Sequence, residues 1–399
     1  MIGTQRTTRR GDLPLPVPRR APDSAAAVLR AVLDHGPIAR SSIARVTRLS
    51  AATVSGVTAV LMDQGLVREA PEAVNRPGIG RPHVPLDVDA DSVAIVGVHI
   101  AVPRATVALL DLRGRVIVQR QDPHGRRDPA GVLEALATTI AEVRREHGRW
   151  RRMLGVGLAT GGWVDAAGGR VVEHPALGWR DVPVCATLAE ATGLPVRADS
   201  NSRALLRAEQ LLGAVADRAR QSAVHMFVGN VVDVAFATGG VVHQGPRSAA
   251  GSVAHLPVDG CDLPCSCGRV GCLQAAVGEK ALVRRALADG LIDRPEIGAL
   301  VDAALAGSVG ALALLQERAR LVGRAAALLL DLFDPEVLVV AEAGVNRVPE
   351  CLATLRAEVE SASSAGADVT ATVYSSSFPT SVLAVAGGAV ALDRVYASN

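Results

Sequence analysis

Lysine is almost absent from this chain: of 42 basic residues only Lys280 is a lysine, and the rest are arginine. Aromatic residues are nearly as scarce, nine among 399, so the core has to be assembled from Val, Leu, Ala and Ile. No uninterrupted apolar run is long enough to span a membrane. The most apolar stretch, Leu321 to Val340, is broken by Arg324, Asp331 and Asp334. Arg9-Arg10 is followed by Pro-broken sequence and not by an apolar segment, which argues against a secretory leader. Disulfide-forming cysteines are few: there are six in all, three of them packed into 265–272, a spacing that fits a metal site better than a disulfide framework. Membrane and secreted classes are thereby disfavoured, and a cytoplasmic protein is expected.

What is present is 49% hydrophobic residues against 21% charged, enough for a sizeable core and more than one domain. The net charge of +2 is unevenly placed. Residues 1–88 hold 12 Arg and seven acidic residues, giving +5, and the remaining 311 carry −3. A basic head on a slightly acidic body suits a polyanion-binding module fused to something else. Residues 1–20 are Arg- and Pro-rich without periodicity and read as a flexible basic tail. Residues 21–88 form a head, and the body runs over 89–399. In the body, short β runs at Ser92–Ile100, Thr106–Leu112, Leu154–Leu158, Val224–Val228, Val231–Thr238 and Val337–Val340 alternate with helical patterns. Those helices lie at Pro129–His147, up to Thr192, Ser202–Leu212 and Leu312–Phe333. The alternation predicts an α/β domain.

The head reads as a winged helix-turn-helix. A first helix runs from Ser24 to Asp34 with Val28, Leu29, Val32 and Leu33 inward, and Gly36-Pro37 stops it. A second covers Ser41–Thr47, with Ile43, Ala44 and Val46 inward. After the turn Arg48-Leu49-Ser50, a third helix runs to about Gln64, capped by Ser50, with Val54, Val57 and Leu61 on its core face. In such a motif the third helix enters the major groove by its N-terminal residues. Here these are Ala52, Thr53, Ser55 and Gly56, small enough for close approach to base edges. No charge lies between Ser50 and Met62, so phosphate contacts fall to flanking arginines, Arg40, Arg45 and Arg48 before and Arg68, Arg76 and Arg81 after. Gly65–Arg68 and Gly78–Pro82 read as strand, wing tip and returning strand. The expected DNA-binding set is Arg48, Ser50, Ala52, Thr53, Ser55, Arg76 and Arg81.

Cys265, Cys267 and Cys272 form C-x-C-x4-C, with Gly268 and Gly271 permitting tight turns and His255 ten residues upstream. One imidazole and three thiolates suit a closed tetrahedral zinc site, so one structural zinc per chain is expected. Cys261 is expected outside that shell, and Cys185 and Cys351 read as core.

Taken with Gly155-Val156-Gly157, Asp199-Ser200-Asn201, Ala249-Ala250-Gly251 and Asp334-Pro335-Glu336-Val337, these motifs resemble the ROK family from residue 24 to the end. That family contains repressors and sugar kinases on a two-lobed, actin-like (ribonuclease H-like) α/β fold. The resemblance implies a small lobe at about 89–190 plus the C-terminal end, and a large lobe at about 191–375. It also implies a homodimer or dimer of dimers.

Where the kinases carry an Asp-Gly-Gly-Thr-like loop, this chain has Gly97-Val98-His99-Ile100-Ala101-Val102-Pro103. Their second phosphate loop is replaced by Gly229-Asn230-Val231-Val232-Asp233, and a late Gly-Gly by Ala341-Glu342. Loss of the glycine amides and gain of Asp233 predict no ATP use and no enzyme. The hexose-holding positions read Ala176, Ala198-Asp199, Ser252-x-x-His255 and Gln274, with Asp199 at the kinases' general base. Effector contacts, if retained, fall to Asp199, Asn201, Ser252, His255 and Gln274.

The expected function is a transcriptional regulator, in the sense of a repressor, that binds a double-stranded DNA operator. Its non-catalytic body would sense a sugar or other metabolite. Two alternatives stand beside it: a regulator whose body is only an oligomerisation or protein-binding scaffold, and a sugar kinase.

Overall fold

Apolar residues at helical spacing, closed by Gly36 and by the Ser50 cap, produce three short helices at the start of the computed structural model, which describes residues 24–71, 84–124, 128–364 and 368–397. They are α1 (Ser24–His35), α2 (Arg40–Thr47) and α3 (Ala51–Asp63), followed by β1 (Val67–Glu69) and β2 (Leu86–Val88). Val28, Leu29, Val32, Ile43, Val54 and Leu61 are buried between them. Val46, expected inward, is instead half exposed (50%): α2 has only two turns, and Ile43 alone of its residues is buried. The Ser50 hydroxyl accepts from the Thr53 amide at 3.0 Å, which fixes where α3 begins. β1 and β2 pair antiparallel, Val67 opposite Val88 and Glu69 opposite Leu86. The expected wing tip, with Arg76 and Arg81, lies outside the described residues, as does the 1–20 tail.

The body contains two five-stranded sheets of the same design and a smaller three-stranded one. The first region comprises β3 (Val93–Ile100), β4 (Arg104–Leu110), β5 (Val116–Pro123), α4 (Pro129–His147), β6 (Arg152–Thr160), β7 (Trp163–Asp165), β8 (Arg170–His174), β9 (Trp179–Val182), α5 (Val184–Thr192) and β10 (Val196–Ser200). Then follow α6 (Asn201–Leu212), α7 (Ala216–Gln221), β11 (Ser222–Val228), β12 (Val232–Thr238), β13 (Val241–Val242), α8 (Leu273–Val277), α9 (Glu279–Ala288), α10 (Ile297–Leu305) and α11 (Val309–Phe333). The chain closes with β14 (Val337–Glu342), α12 (Ala343–Arg347), α13 (Pro349–Ala362), α14 (Val369–Thr372), β15 (Val373–Ser375) and α15 (Val382–Tyr396).

The first sheet has the order β10-β6-β3-β4-β5 and the second β15-β14-β11-β12-β13. In both, a meander of three antiparallel strands is extended by two parallel ones. The first lobe's sheet runs on to Ser200, past the expected boundary at 190, because β10 pairs with β6 from Val196 to Ser200.

The last helix, α15, returns to lie on the first sheet. A Cβ on Gly97 would stand 2.6 Å from the Gly388 nitrogen, and one on Gly157 would stand 2.2 Å from the Gly387 oxygen. Paired glycines thus let helix and strand backbones touch.

The head shares this lobe's core. Val28, Leu29 and Val32 of α1 belong to one buried cluster with Ile95 and Leu110 of the sheet, Leu112 in the turn after it, and Ala384, Leu392 and Tyr396 of α15. Polar contacts reinforce the junction. Arg220 of α7 pairs with Asp34 at 2.8 Å, Arg113 pairs with Asp87, and the Arg30 guanidinium sits 5.6 Å above the Tyr396 ring. The head is therefore docked on the body through a common hydrophobic core. Among the described residues, no single helix is long and apolar enough to cross a membrane.

Candidate functional site

Local turns bring the four expected metal-binding side chains together. The Cys265 amide donates to the Arg269 carbonyl at 2.8 Å, closing a knuckle around Gly268, which adopts φ +85°. Cys272 precedes α8 and pairs across to Pro257, two residues from His255. One donor atom each from His255, Cys265, Cys267 and Cys272 lies within 4.8 Å of all the others, and Cys261 is outside the group. A zinc tetrahedron with ordinary bond lengths has S···S edges of about 3.8 Å and S···N edges of about 3.6 Å. The Cys267–Cys272 sulfurs are 3.7 Å apart, and Cys265 Sγ is 3.6 Å from His255 Nδ1. The donors thus fit a zinc ion in chemistry and in spacing. Arg269, hydrogen-bonded to Cys267, lowers that thiol to about 6, favouring the thiolate a metal takes. Burial raises Cys272 and the isolated Cys185 to about 11, and Cys351 to about 12.

The knuckle forms part of the wall of a cavity of about 1430 Å³ between the lobes. Pro103, Trp163 and Ala176 line it from the first lobe; Asn230, Ser252 and His255 line it from the second. Several contacts bridge it, among them the following. The Trp163 indole donates to the Arg247 carbonyl at 2.7 Å, Asn230 Nδ2 to the Val102 carbonyl at 3.3 Å, and Arg104 pairs with Glu296. Gly251 lies where the second lobe's loop crosses β12: a Cβ there would meet the Val234 oxygen at 1.7 Å, and its φ is +89°.

Of the expected effector contacts, Ser252, His255 and Gln274 line this cavity, but Asp199 and Asn201 do not. Asp199 is 2% exposed and clamped by two arginines of α6, with Arg203 Nε 2.5 Å from Oδ1 and Arg207 Nη1 2.5 Å from Oδ2. Arg203 also donates to the Ser248 carbonyl at 3.0 Å and the Val164 carbonyl at 2.9 Å, tying β7, β10 and the second lobe's loop to α6. Asn201 Oδ1 faces His99 Nε2 at 3.1 Å inside the first lobe, and burial lowers His99 to about 4. Gln274 reaches the wall with both ends of its amide engaged. Its oxygen accepts from the Val232 amide at 2.7 Å and its nitrogen donates to the Asn230 carbonyl at 2.8 Å.

The place of the late Gly-Gly is occupied by a buried ion pair. Arg318 and Glu342 are each 1% exposed at their side chains, and Glu342 also accepts from the Val345 amide at 2.7 Å. Asp233 lies against Ser200, Ser202 and Arg203, and burial raises its carboxyl. The arginine clamp was missed in the sequence, although the four-residue spacing from Asp199 to Arg203 to Arg207 could have shown it.

On the head, Ala52, Ser55 and Gly56 of α3 are exposed along one side, with Arg45 and Arg48 exposed beside them. The Thr53 and Ser50 hydroxyls are 2.8 Å apart. Arg48 closes α2 in the left-handed region, φ 58°. Arg40 is drawn toward Glu69 at 3.2 Å.

Comparison with known proteins gives a consistent frame. The sequence profile described as the ROK family matches residues 95–392. A transcriptional regulator of Mycobacterium tuberculosis (strain H37Rv) is 36% identical over 393 residues, covering 94% of this chain and 86% of that one. The crystal structure of a ROK family transcriptional regulator, a homolog of the E. coli MLC protein, superposes with a TM-score of 0.75 at 23% identity, over 93% of this chain and 96% of that one. A ROK family glucokinase from Streptomyces griseus, in complex with glucose and AMPPNP, superposes with a TM-score of 0.64 at 22% identity. It covers 74% of this chain and 98% of its own.

Proposed function

The chain belongs to the ROK family, and from that premise we propose how it acts as a DNA-binding transcriptional regulator of the repressor kind. The observation that carries the reading is the head: α1–α3 with the β1–β2 pair, a winged helix-turn-helix, rooted in the core of the body. The exposed N-terminal half of α3 enters the major groove, with Ala52, Thr53 and Ser55 at base edges and Arg48 at a phosphate. Ser50 serves by capping the helix. Arg76 and Arg81 are proposed for the wing, where arginine reaches the minor groove.

The body is not an enzyme. The Asp199 carboxylate is held by two guanidinium groups and does not line the cavity, so it does not take a proton from a substrate hydroxyl. The Arg318–Glu342 pair and Asp233 stand where nucleotide groups would need glycine amides. One zinc per chain, held by His255, Cys265, Cys267 and Cys272, stiffens the cavity wall. The protein works in the cytoplasm as a homodimer or dimer of dimers, matching paired half-sites.

The route from cavity to head is helix α6. It starts at the Ser200 cap on the cavity wall, and its 12 residues span about 18 Å. It ends beneath the head, where the Gln210 carbonyl accepts from Arg30 and Leu211 joins the shared core. A ligand that changes the lobe angle shifts α6 against α1 and so shifts the spacing of the two heads. Amide exchange in α1–α3 should therefore change when a cavity ligand binds; unchanged exchange at saturation would refute the coupling.

A second reading, a body that is only a scaffold, is favoured by the internal engagement of Asp199, Asn201 and Gln274. A thermal-shift panel of sugars and phosphosugars separates the two, since any ligand of the native state raises Tm by mass action.

A further inference from the structure

We propose that the interlobe cavity receives an anion with a substantial apolar body, a carboxylate or phosphate carried on a hydrocarbon group, and that Lys280 and Arg284 hold its charge. This deepens the regulator reading and rests on it for the consequence of binding, not for binding itself.

Size is the first argument. At about 1430 Å³ the cavity exceeds the roughly 300–1,000 Å³ usual for drug-sized ligands, so a lone hexose leaves most of it unfilled. The second argument is the lining. Pro103, Trp163, Leu263, Pro264, Leu287 and Ile297 give the wall an apolar character. Of the positions expected to hold vicinal hydroxyls, few stand free in the wall. Asp199 is absent from the wall, position 176 is alanine, and both ends of the Gln274 amide are engaged.

Charge is the third and most decisive argument. Among the described residues four carboxylates line the cavity, and each has a cation near it. Glu173 pairs with Arg180 at 2.9 Å, and Glu296 pairs with Arg104. Glu279 and Asp233 are buried, which raises their carboxyls, and a guanidinium lies near each, Arg318 by Glu279 and Arg203 by Asp233. Two of the cations are likewise occupied, Arg104 by Glu296 and Arg203 by Asp199. Lys280 and Arg284 remain, four residues apart on one face of α9, both lining the cavity and neither with an ionic partner among the described residues. The one lysine of a chain that otherwise uses arginine for every cation stands in this wall. The uncompensated charge facing the cavity is thus positive, and the rest of the lining is predominantly apolar.

The test uses the full-length, zinc-loaded protein with four probes: octanoate, octyl phosphate, octanol and glucose. Titration calorimetry and thermal shift should show binding of at least one of the two anions, and their ranking separates a carboxylate from a phosphate ligand. Octanol should bind at least tenfold more weakly, and glucose more weakly still. The variant K280A/R284A should weaken anion binding at least tenfold while leaving the ligand-free Tm unchanged, because both side chains are exposed. No response to either anion, equal binding of octanol, tighter binding of glucose, or undiminished anion binding by the variant would overturn the inference. Enrichment of genomic DNA fragments by the same preparation reads the regulator function separately. A protein that selects DNA but ignores the anions loses only this inference, and one that binds the anions but no DNA loses only the regulator reading.

Discussion

Replacing Arg203 by Met removes the junction that holds β7, β10, α6 and the 245–252 loop together, while keeping an unbranched apolar stem in its place. Its guanidinium is buried, meets Asp199 at 2.5 Å, and donates to the Ser248 and Val164 carbonyls at 3.0 and 2.9 Å. Removing one partner of a buried ion pair costs about 3–5 kcal/mol. Each carbonyl left without a donor in the interior adds about 1–3 kcal/mol where water does not replace the bond. These terms overlap, and Arg207 still holds the other oxygen of Asp199, so the lower part of the range applies, about 3–4 kcal/mol in all. At roughly 2–4 °C per kcal/mol for domains of this size class, Tm falls by on the order of 10 °C. Guanidinium denaturation measures the loss, and amide exchange should rise first in the loop around Ser248 and in β7. The variant R207M, whose arginine is 14% exposed at its side chain, should lose less than half as much. A loss below about 1 kcal/mol in R203M, with exchange near Ser248 unchanged, would refute Arg203 as the latch between the lobes.

Other expectations follow from the same geometry. Freshly purified protein should carry one zinc per chain by elemental analysis, and Cys272→Ser should lower both zinc content and Tm; a wild type that folds with well under one zinc would remove the metal from the account. Burial lowers His99 and His174 to about 4 and His225 to about 3, from an ordinary 6.5. The folded state therefore binds fewer protons than the unfolded chain between those values. Their contribution is complete above pH 6.5 and is lost as pH falls toward 4, by up to about 1.4 kcal/mol per pH unit for each histidine. The variant H225L should flatten the acid limb of a stability–pH curve, since it removes the histidine with the largest of these shifts; an unchanged slope would contradict the assignment.

How much of this was legible in the sequence depended on how local each signal was. The zinc ligands lie within eighteen residues, with glycines at the turns, and the pattern could be read without knowledge of the fold. The long strands and helices of the body carried clear apolar periodicity, and Pro129–His147 was located to the residue. The helix α15 was missed because its centre, Ala384 to Ala391, is Ala/Val/Gly throughout and shows no amphipathic stripe. Its Gly387-Gly388 pair reads as a break until the sheet beneath it is seen. The short strands β7 to β9 mix polar and apolar residues and declare no period. The cavity is the least legible part, because two lobes build it from segments more than a hundred residues apart. Motif alignment could assign Asp199 to it, but could not show that two arginines occupy that carboxylate, buried off the wall.

The central claim is that α3 reads DNA from a head rooted in the body's core. Its most direct test is selection of genomic fragments by the purified full-length protein, followed by footprinting of the selected sites with wild type and with Ala52→Glu. Ala52 is exposed in the first turn of α3, where a carboxylate agrees with the helix dipole, so the variant should keep its fold. In the groove the same carboxylate faces base edges and phosphates. The account predicts paired, protected half-sites for the wild type and loss of protection for A52E with an unchanged Tm. Failure of the wild type to select any sequence, or equal protection by A52E, would contradict it.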